Sequence, residues 1–170
     1  MSRALEQLIE ILDLEQLEVN LFRGQSRDLG GKAVFGGQVI GQALVAASRT
    51  VEGRFPHSLH AYFLRPGDMA HPIVYEVERI RDGRSFATRR VVANQGAHAI
   101  FAMSCSFQVD EAGLEHQAAM PPAPAPETLP TEQQRAAPFL AAAPEAIRVK
   151  LLAERPFEIR TADQTGDDPF

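Results

Sequence analysis

The chain has 170 residues, 45% of them hydrophobic and 23% charged, with 17 basic and 22 acidic side chains for a net charge of −5. That length fits one domain with appendages, and that composition excludes a wholly disordered chain. The negative balance gives no global attraction for nucleic acid, and no apolar run approaches the ~20 residues a membrane span needs.

Leu5, Leu8, Ile9 and Leu12 recur at helical spacing, so residues 2–12 read as an amphipathic helix with Ser2 as its N-cap. Leu17, Val19 and Leu21 alternate with Glu18 and Asn20 and predict a strand. The stretch FGGQVIGQALVAAS, Phe35–Ser48, is apolar or small nearly all round and predicts a helix buried on most sides. From residue 57 the period changes to two. Strands are predicted over 57–64, 73–81, 86–93 and 98–109. They are separated by Arg65-Pro66-Gly67-Asp68, Asp82-Gly83 and Asn94-Gln95-Gly96, all turn-forming. Strands joined this way make an antiparallel meander. One long buried helix against a curved antiparallel sheet is an α+β, helix-on-sheet architecture.

Proline marks a boundary. Pro56, Pro66 and Pro72 precede residue 120, and the other nine of the 12 prolines follow it, beginning with MPPAPAPETLP. Such a run favours extended polyproline geometry and cannot complete a ladder. Residues 1–114 are therefore read as the folded unit and 115–130 as a proline-rich, semi-rigid linker. Residues 131–170 are read as a helical segment broken at Pro138 and Pro144, then Pro156–Arg160 as the start of a strand. The last residues are polar and acidic.

The opening MSRALEQLIEILD lacks the apolar stretch of a secretory signal and the acid-poor bias of an organelle transit peptide. Cys105 is the single cysteine, so no internal disulfide forms and the expected compartment is reducing, the cytoplasm. His57 and His60 are three apart, which on a regular strand sends them to opposite faces, and the other histidines show no ligand spacing. No metal is expected. Gly36 and Gly41 bracket a G-x-x-x-x-G, but Gln42-Ala43 stand where a phosphate-binding loop needs Lys and Ser or Thr. There is no G-x-S-x-G nucleophile elbow, and mid-strand Cys105 reads as an inert buried thiol.

What remains is chemistry that needs few side chains. At Phe35-Gly36-Gly37-Gln38 the first helical turn carries N–H groups with no internal partner, and the dipole adds partial positive charge. Two glycines there let a ligand oxygen approach the backbone, or let helix and sheet pack tightly. His57, at the start of a strand, is a candidate general base toward water or a hydrogen-bonded structural histidine. Arg65 either meets a phosphate or caps a turn. Arg65, Arg79, Arg81, Arg84, Arg89 and Arg90 crowd one segment, as a local anion site or a solvated sheet face.

Six stretches in order carry a resemblance: LFRGQSRDLG (21–30), VFGGQVIGQAL (34–44), HSLHAYFLRPGD (57–68), RDGRSFATRRV (81–91), AMSCSFQ (102–108) and the MPPAPAPETLP linker. Together they resemble the N-terminal half of the acyl-CoA thioesterase II family. The resemblance implies a hotdog fold, a long helix wrapped by an antiparallel sheet, present twice in tandem across a proline-containing linker. It implies hydrolysis of fatty acyl-CoA with no cofactor beyond the CoA of the substrate. The family's catalytic Asp, Thr and Gln belong to the second hotdog, and these 170 residues stop where that repeat would begin. The chain is thus expected to be a thioesterase half or a non-catalytic hotdog module giving acyl-binding and pairing surface. Phe35, Gly36, Gly37, Gln38 and Arg65 are the expected substrate contacts, with His57 assisting the water. The expected partners are acyl-CoA and a second copy of the chain, paired through an exposed sheet edge. A hydratase of the same fold would need a His and a carboxylate on the helix, and Phe35–Ser48 has neither.

Overall fold

The computed structural model describes residues 2–28, 31–140 and 142–162. The chain forms two compact units, one of residues 9–113 and one of the segments on either side.

Helix α1 is Arg3–Leu12, and Ser2 caps it, its Oγ accepting the Leu5 N–H at 3.2 Å. The single strand predicted next is a hairpin instead: β1 (Glu15–Glu18) pairs antiparallel with β2 (Leu21–Gly24). The turn falls at Val19-Asn20 because Asn20 is fastened elsewhere. Its carbonyl accepts the Val77 N–H at 2.8 Å and its Oδ1 accepts from Arg79 Nε at 2.9 Å. Helix α2 is Gly36–Ser48, with Phe35 at the N-cap.

Four longer strands follow, β3 (Phe55–Phe63), β4 (Ile73–Asp82), β5 (Phe86–Gln95) and β6 (His98–Gln108). They complete a six-stranded antiparallel sheet in the order β1-β2-β4-β5-β6-β3. Strands β4 to β6 are the expected meander, and Gly96, at φ 55°, supplies the left-handed residue of the tight β5–β6 turn. Strand β3 departs from it. Residues 64–72 cross the end of the sheet, so β3 lies at the far edge beside β6 rather than beside β4. The Leu64 and Arg65 N–H groups both donate to the Ile100 carbonyl, which steers the chain over β6.

Val39, Ala43, Ala46 and Ala47 of α2 pack against Tyr75, Val91, Phe101, Met103 and Phe107 from the sheet. The alanines are fully buried, and their small size brings the helix axis close to the strands. Strand β3 is the exception to this burial: Phe55, Leu59 and Phe63 remain exposed along the free edge.

In the other unit, residues 115–125 carry no helix or strand, and Pro126–Thr128 make one 3-10 turn. Helix α3 (Glu132–Leu140) begins with a reciprocal cap. The Gln134 N–H donates to Thr131 Oγ1 at 3.1 Å and the Thr131 N–H to Gln134 Oε1 at 2.8 Å. Pro138 does not break this helix, which runs through it to Leu140 without the bond that an N–H at 138 would give to the Gln134 carbonyl. Helix α4 (Glu145–Leu152) starts after Pro144. Pro156–Arg160 is not a strand, since it has no ladder partner among the described residues. Residues 163–170 lie outside the described ones. No described helix is long and apolar enough to cross a membrane.

Candidate functional site

The head of α2 is uncapped. Phe35 occupies the N-cap in an extended conformation and makes no side-chain cap bond, and the first turn holds no acid. Its carbonyl accepts the Gln38 N–H at 3.0 Å and the Val39 N–H at 3.3 Å, leaving the Gly36 and Gly37 N–H groups without a described acceptor. Gln38 is therefore not an amide donor of the site, because its N–H is closed into the first turn. An uncapped helix start forgoes about 1 kcal/mol, an omission that leaves donors for something else.

Gly36 stands at the head of a cleft of about 380 Å³ lined by Val34, Val39, Phe63, Leu64, Ile100 and Phe101; Gly37 is the next residue along and is not part of that lining. Arg65 stands on the rim and is the one charged residue among the described lining. One of its Nη atoms donates to the Ala99 carbonyl at 2.7 Å, so the arginine is anchored by half its fork and otherwise exposed. The bare surfaces of the glycines are not empty. The Phe63 ring lies 3.0 Å from where a Cβ on Gly36 would sit, and Phe35 folds its own ring over Gly37.

Sequence reasoning missed what holds this head in place. Gln38 and Gln42 are buried on one side of a helix that reads as apolar. Gln42 Nε2 donates to the Ile11 carbonyl at 2.6 Å and the Gln25 carbonyl at 3.0 Å, while its Oε1 accepts the Tyr75 hydroxyl at 2.6 Å. Gln38 Nε2 donates to the same Gln25 carbonyl at 3.0 Å, and its Oε1 accepts the Arg27 N–H at 3.3 Å. The segment entering α2 is thus pinned to its first two turns, and the Val34 N–H is pinned to the Gly67 carbonyl at 2.9 Å. Burial pushes the Tyr75 phenol far above its ordinary range, so it acts as a fixed donor. The legible signal was the i, i+4 pair of amides in a small-residue helix.

His57 is not part of this assembly. A bulge between Pro56 and Ser58 turns it to the outer face of the sheet, where its Nε2 lies 2.9 Å from Ser106 Oγ and its ring meets Phe86 edge-on. The same bulge puts it on the face of His60, not the opposite one. Six residues of extended chain, roughly 20 Å, separate it from Phe63. The structure brings Gly36 and Arg65 to one cleft, keeps Phe35 and Gly37 beside Gly36 but outside that lining, and leaves Gln38 as a buried strut and His57 outside.

The crowded arginines are neither one site nor one solvated face. Arg79 is bound to Asn20, and Arg90 faces Glu78 at 3.6 Å on the surface. Arg89 is 1% exposed and uses all five N–H donors. Its Nε donates to Thr50 Oγ1 at 2.8 Å and Nη1 to the Arg81 and Thr88 carbonyls at 3.0 Å each. Nη2 donates to the Thr50 carbonyl at 3.0 Å and to Asp82 Oδ1 at 2.6 Å. Cys105 lies in the core, and burial pushes its thiol up to about 11. Among the described residues no group of His, Cys, Asp or Glu converges to hold a metal.

A helix wrapped by a curved antiparallel sheet, with its bare N-terminus at the mouth of an apolar cleft, defines a hotdog-fold domain. A solved protein with a hot dog fold from Alicyclobacillus acidocaldarius matches at a TM-score of 0.66 and 23% identity, over 74% of this chain and 48% of that one. Residues 25–108 match the family model of the acyl-CoA thioesterase N-terminal domain, and the chain belongs to that family. Acyl-CoA thioesterase 2 of Haemophilus influenzae is 48% identical over 95% of this chain and 57% of its own length. The acyl-CoA thioesterase II structure from Mycobacterium marinum is 54% identical at a TM-score of 0.64, over 73% of this chain and 46% of that one. The chain thus spans about half the length of these relatives.

Proposed function

We propose that this chain is the first hotdog of a fatty acyl-CoA thioester hydrolase of the cytoplasm, acting on acyl-CoA with water and no other cofactor. The observation that carries the reading is the uncommitted amide of Gly36, followed by that of Gly37, at the head of an apolar cleft with a cation on its rim. The acyl chain lies in the cleft and the thioester carbonyl points at the amides. Water adds to the carbonyl carbon, and the negative charge gathers on the oxygen facing the two N–H groups and the helix dipole. Collapse breaks the carbon–sulfur bond, and the departing sulfur takes the proton that the water gives up. Arg65 faces the CoA phosphates.

The free edge of β3 supports pairing with a second hotdog unit, here a second copy of the chain. Leu59 and Phe63 lie opposite Cys105 and Phe101, so they share the helix-side face and remain uncovered there. One observation favours a second reading, a module that binds without hydrolysing: the described cleft lining offers neither imidazole nor carboxylate to accept the water's proton. The purified chain, sedimenting as two chains, is expected to hydrolyse decanoyl-CoA faster than buffer, with Gly36→Val abolishing the excess. A rate equal to buffer with binding retained removes catalysis from this chain and leaves the module. A single-chain mass removes the pairing.

A further inference from the structure

Residues 64–72 cross the end of the sheet with neither helix nor strand along them, yet they bring Arg65, Pro66 and Gly67 to the cleft lining. A crossing with no ladder must find partners for its backbone elsewhere. One side chain supplies several of them. Gln95, the last residue of β5, accepts the Asp68 N–H on its Oε1 at 2.7 Å. Its Nε2 donates to the Asp68 carbonyl at 2.8 Å and to the His71 carbonyl at 2.9 Å. The side-chain amide thus pairs with both backbone groups of Asp68, as a facing residue does in an antiparallel ladder, and commits both its donors and its acceptor. The His71 carbonyl also accepts Ser26 Oγ at 2.7 Å, which ties the crossing to the segment entering α2. Next to Asp68 is the buried Gly67, whose carbonyl accepts the Val34 N–H at 2.9 Å. A Cβ on Gly67 would lie 3.1 Å from Val34 Cγ2 and 3.2 Å from Ile100 Cδ1, so the crossing sits flush on two residues of the cleft wall. A shift at Asp68 is passed directly to that wall.

We propose that Gln95 is a positioning residue for the acyl-CoA site: its side-chain amide stands in for a missing strand and holds the 64–72 crossing, and through Gly67 the wall of the cleft, in the shape that receives the acyl chain. The proposal rests on the acyl-CoA reading of the cleft and adds to it a residue that touches no substrate. The chemistry calls for an amide. A glutamate of the same shape keeps the acceptor, loses both donors and sets a negative charge against the Asp68 and His71 carbonyls.

The test uses the full chain at neutral pH and the decanoyl ketone analogue of acyl-CoA, in which methylene replaces the thioester sulfur so that the carbonyl is kept and hydrolysis is blocked. In calorimetric titration Gln95→Glu is expected to bind the analogue about tenfold more weakly than wild type. Gln95→Met, which removes the hydrogen bonds without adding charge, should weaken it in the same direction. Hydrogen exchange locates the cause: in both variants the Val34 amide should exchange about tenfold faster, while the Met103 amide in the centre of the sheet keeps its protection. Thr50→Val serves as the control for a merely structural loss. It removes the hydroxyl that accepts Arg89 Nε at the opposite end of the sheet. It should lower the urea midpoint at least as much as Gln95→Glu and leave the affinity unchanged. An unaltered affinity in Gln95→Met, an unaltered Val34 exchange rate, or an equal loss of affinity in Thr50→Val overturns the proposal. If wild type and Gln95→Glu bind the analogue equally, the acyl-CoA reading stands and the role of Gln95 falls. If the wild type does not bind it, both fall.

Discussion

Arg89 shows how a single side chain locks the end of the sheet opposite the cleft. It joins Thr50, just past the C-terminus of α2, to the β4–β5 hairpin through Arg81, Asp82 and Thr88. Its removal orphans carbonyls that are shielded from water. Arg89→Met is expected to lower stability by about 2–4 kcal/mol, read from urea unfolding midpoints. Its partner behaves differently, because the Asp82 side chain is half exposed. The Arg89 hydrogen bond holds the Asp82 carboxyl below the usual aspartate range. The folded protein therefore takes up that proton at lower pH than the unfolded chain. The contribution is complete above the ordinary aspartate range and disappears as pH falls through the folded value. The stability gap between wild type and Asp82→Asn should accordingly be largest near neutral pH and close only as pH falls below the ordinary aspartate range.

At the scale of the element, α2 carries a deliberate conflict between stability and use. Most helices cap their first turn with a short polar side chain; this one presents Phe35 and two glycines. Phe35→Asp is expected to raise the thermal midpoint by supplying the missing acceptor, roughly 1 kcal/mol of stabilisation, while weakening acyl-CoA analogue binding by occupying the amides. A variant both stabler and better at binding would contradict the assigned role of this turn. The helix itself was legible in its run of small and apolar residues, and so was its open first turn. Its buried polar side was not, because Gln38 and Gln42 gain their meaning from Gln25 and Tyr75, residues distant in sequence. The β1–β2 hairpin was lost for a similar reason: alternation through Leu17, Val19 and Leu21 mimics one strand, and only the tertiary bonds of Asn20 fix the turn.

For the whole molecule, periodicity and turn chemistry determine the strands of the larger unit but not their order. Local pattern predicts a meander, and nothing in the residues of β3 states that it crosses to pair with β6. That crossing decides the site. It carries Phe63 and Arg65 to the head of α2 and leaves His57 at the far end of the same strand, on the outer face through a bulge that alternation does not reveal. It also makes β3 the free edge through which a second hotdog can be joined. The central claim is that a thioester carbonyl docks on the first-turn amides of α2. Nitrogen-15 NMR of the full chain, titrated with the decanoyl ketone analogue, tests it most directly. The Gly36 and Gly37 amide signals should move downfield together, with Val34, Val39 and Ile100 responding beside them. If those two amides hold still while the shifts gather on the outer face around His57 and Ser106, the carbonyl binds elsewhere and the account is wrong.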